Sequence, residues 1–123
     1  MQTGLTAKVE LVVTDDDTAP AHRSGSVPVL ATPRLVALCE EAAVAAIDGH
    51  VEAGSTSVGM RIQLDHLAPT MAGAPVTAEA TLEKVSGRRL VFTVSVSDPR
   101  GLIAAGKVTR VIVDIERFLD KAR

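Results

Sequence analysis

The feature that most constrains the fold is one stretch, residues 32–49, which carries helix-boundary signals at both ends. We predict Thr32 as the N-cap, because its hydroxyl can accept a hydrogen bond from an orphan backbone N–H. Pro33 suits the first helical position, where no N–H is needed. Gly49 suits the left-handed conformation that ends many helices. Since the interior is rich in alanine, which favours helix, the stretch predicts one long helix.

The polar side chains of this helix are confined to a narrow stripe. Arg34, Glu41 and Asp48 are seven residues apart and stack at about 100° per residue. Nearly all other positions are apolar, and such a helix is buried on most sides. Glu40 is the exception, because it lies roughly 120° from the stripe. A carboxylate there is costly unless it is paired or useful, so Glu40 either bends to water, pairs with an arginine or is functional.

Five segments have the patterning of β-strands. They are Leu5–Val13, Thr56–Leu67, Val76–Val85, Arg89–Ser97 and Leu102–Ile115. In the second strand, alternation predicts one face made of Thr56, Val58, Met60, Ile62 and Leu64, with Ser57 on the other face. His66 continues the apolar face, so we expect it to point toward the helix and Asp65 to point outward. The last strand is apolar on both faces, which indicates a central strand or a subunit contact.

The order of elements is strand, helix and four strands joined largely by hairpins. This order predicts an α+β domain in which one antiparallel sheet wraps around one long central helix. The chain has 123 residues, which fits a single domain over residues 1–123. Residues 14–30 are predicted to form a loop and residues 116–123 a short charged tail. Because one sheet face would stay partly apolar, we also expect a homodimer.

Composition argues against several function classes. Trp and Tyr are absent, Phe occurs twice and the net charge is −2, so a nucleic-acid partner is not expected. No apolar run is long enough for a membrane span, and no signal peptide is evident. The single cysteine, Cys39, is expected to be a buried residue of the core and not a nucleophile. A single cysteine also fits a reducing compartment, so we expect a cytoplasmic protein. Asp15–Asp17 is interpreted as a solvated turn, and no metal site is predicted.

Three groups of residues carry a resemblance to a known family. They are Ala31-Thr32-Pro33 followed by Glu40, then Asp65–Gly73, and then Glu83–Leu90 together with Gly106–Arg110. With this layout, the chain resembles the hotdog fold of acyl-CoA thioesterases, and most closely the fluoroacetyl-CoA thioesterase family. The resemblance covers roughly residues 31–118. Before Ala31 that family has a Phe-containing lid, whereas residues 14–30 here contain no Phe. The resemblance therefore implies a thioesterase for some other acyl group.

The resemblance implies a catalytic set of Thr32, Glu40 and His66. Glu40 could attack the thioester carbonyl or act as base on water, and His66 could move the proton or orient Glu40. Thr32 could instead be the nucleophile, with His66 as its base, or a simple N-cap. Eight residues of helix span about 12 Å, so Thr32 and Glu40 of one chain cannot touch one carbonyl. In a two-fold dimer with antiparallel helices, Thr32 of one subunit would meet Glu40 of the other.

The resemblance also suggests residues that bind the substrate's carrier. Arg88 and Arg89 follow a hairpin turn, where they could contact coenzyme A phosphates or be solvated. Arg110 shares a face with Val108 and Ile112 and could pair with a carboxylate or with those phosphates. No separate cofactor is expected, because coenzyme A arrives as part of the substrate. The alternatives to an acyl-CoA or acyl-carrier-protein thioesterase are a non-catalytic acyl-CoA-binding hotdog module and a hotdog hydratase or dehydratase.

Overall fold

The computed structural model describes residues 1–123, which form five strands, two α-helices and one short 3₁₀ turn. The strands are β1 (Thr6–Val12), β2 (Ser55–His66), β3 (Pro75–Ser86), β4 (Arg89–Asp98) and β5 (Gly101–Asp114). The α-helices are α1 (Thr32–Ala46) and α2 (Ile115–Ala122). The five strands form one antiparallel sheet in the order β1-β3-β4-β5-β2. The predicted α+β architecture of one sheet around one long helix is therefore confirmed.

The core lies between α1 and the concave face of the sheet. Alternate residues of β3 and β4, from Val76 to Leu82 and from Leu90 to Val96, are buried against it, as alternation predicts. Leu35, Leu38, Cys39, Ala42 and Ala43 are the fully buried residues of the helix. Small side chains on the helix let the sheet approach closely, so a short chain still encloses a continuous core.

The last strand is a central one. β5 pairs with β4 on one side and β2 on the other, so of the two sequence-based interpretations the central position is confirmed. It offers no free edge to a partner. The sheet edges are β1 and β2, and β2 carries the exposed side chains Met60 and Ile62 at 48% and 37% exposure.

The predicted face of β2 was partly wrong, because the strand contains a β-bulge. Gly59 pairs with Arg110 and Arg61 pairs with Thr109, so Met60 has no partner in the ladder. An extra residue shifts the side-chain alternation by one. Leu64 and His66 keep the predicted inward direction, but Thr56 and Val58 do not share their face. Ser57 and Gly59 face inward instead, which brings both toward the helix.

Two segments that were predicted as irregular, one at the C-terminus and one after β1, are more ordered than predicted. Residues 115–122 form α2, whose first turn is capped by the Asp114 carboxylate accepting from the Arg117 N–H at 3.0 Å. Residues 15–17 form the 3₁₀ turn, where Asp17 is only 9% exposed. Burial opposes its ionisation, but hydrogen bonds from Thr14 and Arg34 hold the pKa of Asp17 below its usual value. The prediction of a fully solvated turn was therefore wrong for Asp17.

Candidate functional site

Thr32 and His66 meet where the end of β2 reaches the start of α1. The Thr32 hydroxyl lies 2.8 Å from Nδ1 of His66. The two residues are 34 positions apart in sequence, so the fold alone brings them together. His66 points toward the helix and Asp65 is exposed, as the alternation of β2 predicts. A hydroxyl within hydrogen-bond reach of an imidazole is the arrangement of a nucleophile with its base.

The start of α1 differs from the prediction in one respect. Ala31 is the N-cap, and Thr32 and Pro33 are the first helical residues. No side chain caps this end, because the N-cap residue is an alanine, and the Thr32 hydroxyl is directed to His66. The first N–H groups of a helix have no partner inside the helix. The positive end of the helix dipole thus lies beside the Thr32 hydroxyl, where it can stabilise an oxyanion.

The environment of His66 favours its neutral form. Burial lowers the pKa of His66 below 6.5, while the nearby Ala68 backbone weakly opposes that effect. Nε2 is buried and has no hydrogen-bond partner of good geometry within the chain. If Nδ1 accepts from the Thr32 hydroxyl, Nε2 carries the ring proton. An acceptor facing Nε2 would complete the arrangement of nucleophile, base and orienting group.

A cavity of about 360 Å³ opens beside this pair. Its walls come from the loop before α1 and from the chain after β2, including Ser24, Ser26, Val27, Leu67 and Pro69. His66 is the one aromatic side chain in its lining, which contains no Phe, Tyr or Trp. The loop is fixed at its base, since Thr18 bridges to Leu30 and Val29 bridges to Met71. The cavity can therefore hold an apolar group next to the Thr32 hydroxyl.

Glu40 belongs to a second cluster. Its Oε2 accepts a hydrogen bond from Nη1 of Arg110 at 2.7 Å. Arg110 is 7% exposed and also donates to the Ser57 hydroxyl through Nε and to the Ser57 carbonyl through Nη2, both at 2.9 Å. The paired-carboxylate alternative for Arg110 is thus the one observed. With all three nitrogens engaged, its predicted contact with coenzyme A phosphates does not fit this geometry.

Gly59 makes room for this ion pair. A Cβ at position 59 would overlap Oε2 of Glu40 and would lie 3.6 Å from Nη1 of Arg110. Ser57 and Gly59 were not identified from the sequence, because the bulge at Met60 reverses their direction. The glycine inside a strand pattern was the available signal, since such a residue often marks a bulge or a close approach. The Glu40 side chain remains 33% exposed beside a cavity of about 550 Å³ on the helix flank.

The two clusters are separate within one chain. His66 pairs with Ala104 and Gly59 pairs with Arg110, six positions apart on β5. At about 3.3 Å per residue this is roughly 20 Å. The structure therefore joins Thr32 to His66, and Glu40 to Arg110, but does not bring the three predicted catalytic residues together in one chain. Arg88 and Arg89 are exposed at the β3–β4 turn, near the Glu40 end of the sheet.

A third polar group, missed from the sequence, anchors the segment that follows His66. Thr70 is 1% exposed and donates to Asp98 at 2.9 Å. Its carbonyl accepts from the Leu30 N–H at 2.8 Å, which ties the loop before α1 to the same point. The side chain of Arg100 contacts both the Pro69 carbonyl and Asp98. These contacts fix both walls of the cavity next to His66.

Cys39 is a free, fully buried thiol as predicted, and burial with the neighbouring Glu40 charge raises its pKa to about 12. No group of three or more His, Cys, Asp or Glu side chains is placed to hold a metal ion. Neither α1 nor α2 is long and apolar enough to cross a membrane.

Comparison with known proteins gives sequence relatives over most of the chain. A family model described as fluoroacetyl-CoA-specific thioesterase matches residues 13–116. The fluoroacetyl-CoA thioesterase of Streptantibioticus cattleyicolor is 39% identical over 95 residues, which is 77% of this chain and 68% of that protein. The family match begins well before Ala31. The predicted starting point of the resemblance was therefore wrong, and the loop before α1 is part of it.

Solved structures share the fold over nearly the whole chain. A threonine-to-serine variant of the fluoroacetyl-CoA thioesterase in complex with acetyl-CoA superposes with a TM-score of 0.93 at 32% identity, covering 100% of this chain and 97% of that chain. A thioesterase-superfamily protein of Thermus thermophilus gives 0.89 at 30% identity, with coverages of 98% and 92%. A hotdog-like protein of Thermanaerovibrio acidaminovorans gives 0.91 at 28%, with coverages of 99% and 90%.

Proposed function

The chain belongs to the fluoroacetyl-CoA-specific thioesterase family, and from that premise we propose how its own residues hydrolyse an acyl-CoA thioester. The observation that carries the proposal is the 2.8 Å contact between the Thr32 hydroxyl and His66 Nδ1 at an uncapped helix start. The products are a carboxylic acid and the free thiol of coenzyme A. A carrier-protein thioester, which presents the same acyl group and thiol, is the other substrate to test.

In this proposal neutral His66 takes the Thr32 proton as the hydroxyl oxygen attacks the thioester carbonyl. The helix N-terminus stabilises the negative charge that forms on the carbonyl oxygen. The protonated His66 then protonates the departing thiolate, which leaves an acyl group on Thr32. Water, deprotonated by His66, hydrolyses that ester and regenerates the hydroxyl. The alternative in which Glu40 attacks or activates water uses a carboxylate that is already held by Arg110.

A panel of acyl-CoA thioesters with detection of the released thiol tests this function. We expect turnover of at least one member of the panel, with acid and thiol formed in equal amounts. The cavity beside Thr32 is lined by no Phe, Tyr or Trp, so we propose an acyl group other than fluoroacetyl. Tight binding of acyl-CoA without thiol release would instead support an acyl-CoA-binding module.

Acidification is expected to abolish activity through His66. The base must be neutral to accept the Thr32 proton, and burial lowers the pKa of His66 below 6.5. The value of kcat/KM should therefore rise with pH and level off, with a midpoint below 6.5. A pH profile in buffers of constant ionic strength measures this midpoint. A midpoint above 6.5, or no acid limb, would contradict His66 as the neutral base.

The functional unit that we propose is a homodimer formed by the free edge of β2 and the exposed flank of α1. An unpaired strand edge presents open N–H and C=O groups, and natural proteins rarely leave a long one uncovered. Met60, Ile62 and Val44 add exposed apolar surface along this side. With antiparallel helices, Glu40 of the partner subunit would approach Thr32 and the buried Nε2 of His66.

The compartment that we propose is the cytoplasm, because a reducing environment suits the single free thiol of Cys39.

Replacing Ile62 by aspartate is expected to separate the dimer and to remove activity with it. A carboxylate on the apolar edge of β2 would be desolvated on pairing, which is costly. Sedimentation velocity at micromolar concentration should show a dimer for the native chain and a monomer for the variant. Val12→Asp, on the opposite edge strand and 60% exposed, is the matched control. A native chain that sediments as a monomer would refute both the dimer and the shared site.

A further inference from the structure

A third cavity, of about 300 Å³, lies between α2 and the β3–β4 turn. Arg88, Arg117 and Lys121 line it, and none of these three cations forms a salt bridge in the chain. The one carboxylate in the lining, Asp114, accepts the Arg117 N–H as the helix cap. Three cations and one carboxylate give this lining a formal charge of +2, whereas the whole chain carries −2. The cavity therefore favours a multiply charged anion.

An aromatic side chain forms part of the same wall. Phe118 is 41% exposed and lines the cavity. The chain contains two Phe and no Trp or Tyr, and Phe92 is fully buried in the core. Phe118 is thus the exposed aromatic residue of the protein, and it stands beside three free cations. A ring face next to guanidinium groups suits a ligand that carries both a flat base and phosphates.

We infer that this cavity binds the phosphorylated adenosine end of the coenzyme A substrate. Arg88, Arg117 and Lys121 would hold the phosphates and Phe118 would stack on the adenine. The inference rests on the proposed acyl-CoA substrate and adds the residues that recognise its carrier. It includes Arg88, one of the two arginines that follow the turn, and replaces Arg110 in that role.

The position of the cavity fits a site shared between subunits. Val113 of its lining lies three positions beyond Arg110 on β5, which is about 10 Å along the strand. The pantetheine arm is comparable to roughly four residues of extended chain, or about 14 Å. Val113 and Arg110 are an odd number of positions apart and so lie on opposite faces of β5, and the arm would pass around the end of the strand at Asp114 to place a thioester near Glu40. The same chain's His66 is beyond that reach, because its pairing partner Ala104 lies nine positions from Val113, or about 30 Å.

Binding of adenosine 3′,5′-bisphosphate, measured by titration calorimetry, tests the inference without any catalysis. We expect Arg117→Ala and Lys121→Ala each to weaken binding about tenfold, as for loss of one hydrogen bond between charged groups. Phe118→Leu should weaken binding without changing charge. Lys8→Ala, the matched control, removes a cation from β1 at the far edge of the sheet and should leave binding unchanged. Equal binding by all four variants and the native chain would overturn the inference.

Kinetics separate this inference from the proposed function. For Arg117→Ala we expect KM for an acyl-CoA to rise about tenfold with kcat unchanged, and no change for the same acyl group on N-acetylcysteamine, which lacks the nucleotide. An equal loss with both thioesters would contradict nucleotide recognition. If the native chain hydrolyses neither thioester, the proposed function fails, and the calorimetric titration still decides whether the cavity binds the nucleotide.

Discussion

His66→Ala is expected to lower turnover of an acyl-CoA substrate at least about 100-fold, the usual contribution of a positioned general base. The imidazole is the base that faces the Thr32 hydroxyl, at 2.8 Å. The fold should survive, because the ring makes only this one side-chain hydrogen bond and its Nε2 is buried without a partner in the chain. Loss of Nε2 in the variant therefore removes no hydrogen bond from the folded chain. Thiol release and a thermal melt, measured on the same preparation, provide both values.

His50→Ala is the matched control for this experiment. His50 is exposed in the short connection after α1, at the opposite end of the helix from Thr32. Its variant should retain native turnover and native melting temperature. If His66→Ala unfolds, or keeps near-native turnover, the role of His66 is structural and the proposed mechanism is wrong.

The sequence carried most of the information about the fold because two simple periodicities describe its elements. The strands of the concave face were predicted from alternation alone, and Leu90 to Val96 is buried as expected. The long helix starts one residue earlier than predicted, with Ala31 as its N-cap instead of Thr32, and it ends at Ala46, with Gly49 in the left-handed region at φ 79°. The helix α2 was interpreted as a tail because it is short and rich in charge, although Ile115, Phe118 and Leu119 have the spacing of one helix face. Its Asp114 cap was the sign that the interpretation overlooked.

The site was harder to predict than the fold, since it depends on contacts between distant residues. Glu40 stood out as a carboxylate off the polar stripe and His66 as an inward polar residue, and both are placed accordingly. Their partners were given only as alternatives, an arginine for Glu40 and the Thr32 hydroxyl for His66, and the further contacts of Arg110 were not predicted. Ser57 reaches Arg110 only because the extra residue at Met60 shifts the side-chain alternation of β2, so that Ser57 faces the helix. The pairing of Thr70 with Asp98 joins residues 28 positions apart and follows no local pattern.

Glu40→Gln is expected to lower turnover about 100-fold or more if this carboxylate orients or assists the base across the dimer. Gln keeps the shape and an oxygen that can accept from Arg110, but it lacks the charge that offsets a guanidinium exposed by only 7%. A buried cation without its partner is destabilising, so the melting temperature must be measured beside turnover. Glu41→Gln is the control, because Glu41 is exposed on the polar stripe and its side chain pairs with Arg34 and not with Arg110. It should retain native turnover.

Mixing two inactive proteins distinguishes a shared site from two sites within single chains. Thr32→Ala and Glu40→Gln should each be inactive alone. In a mixed dimer, one site carries both defects and the other carries neither, if Thr32 of one subunit works with Glu40 of its partner. Random exchange makes about half of the dimers mixed, so roughly a quarter of all sites are intact and about a quarter of native activity should return. No recovery, once a tagged chain has verified exchange, would place Thr32 and Glu40 in separate roles, as their roughly 12 Å separation along α1 already requires of a monomer.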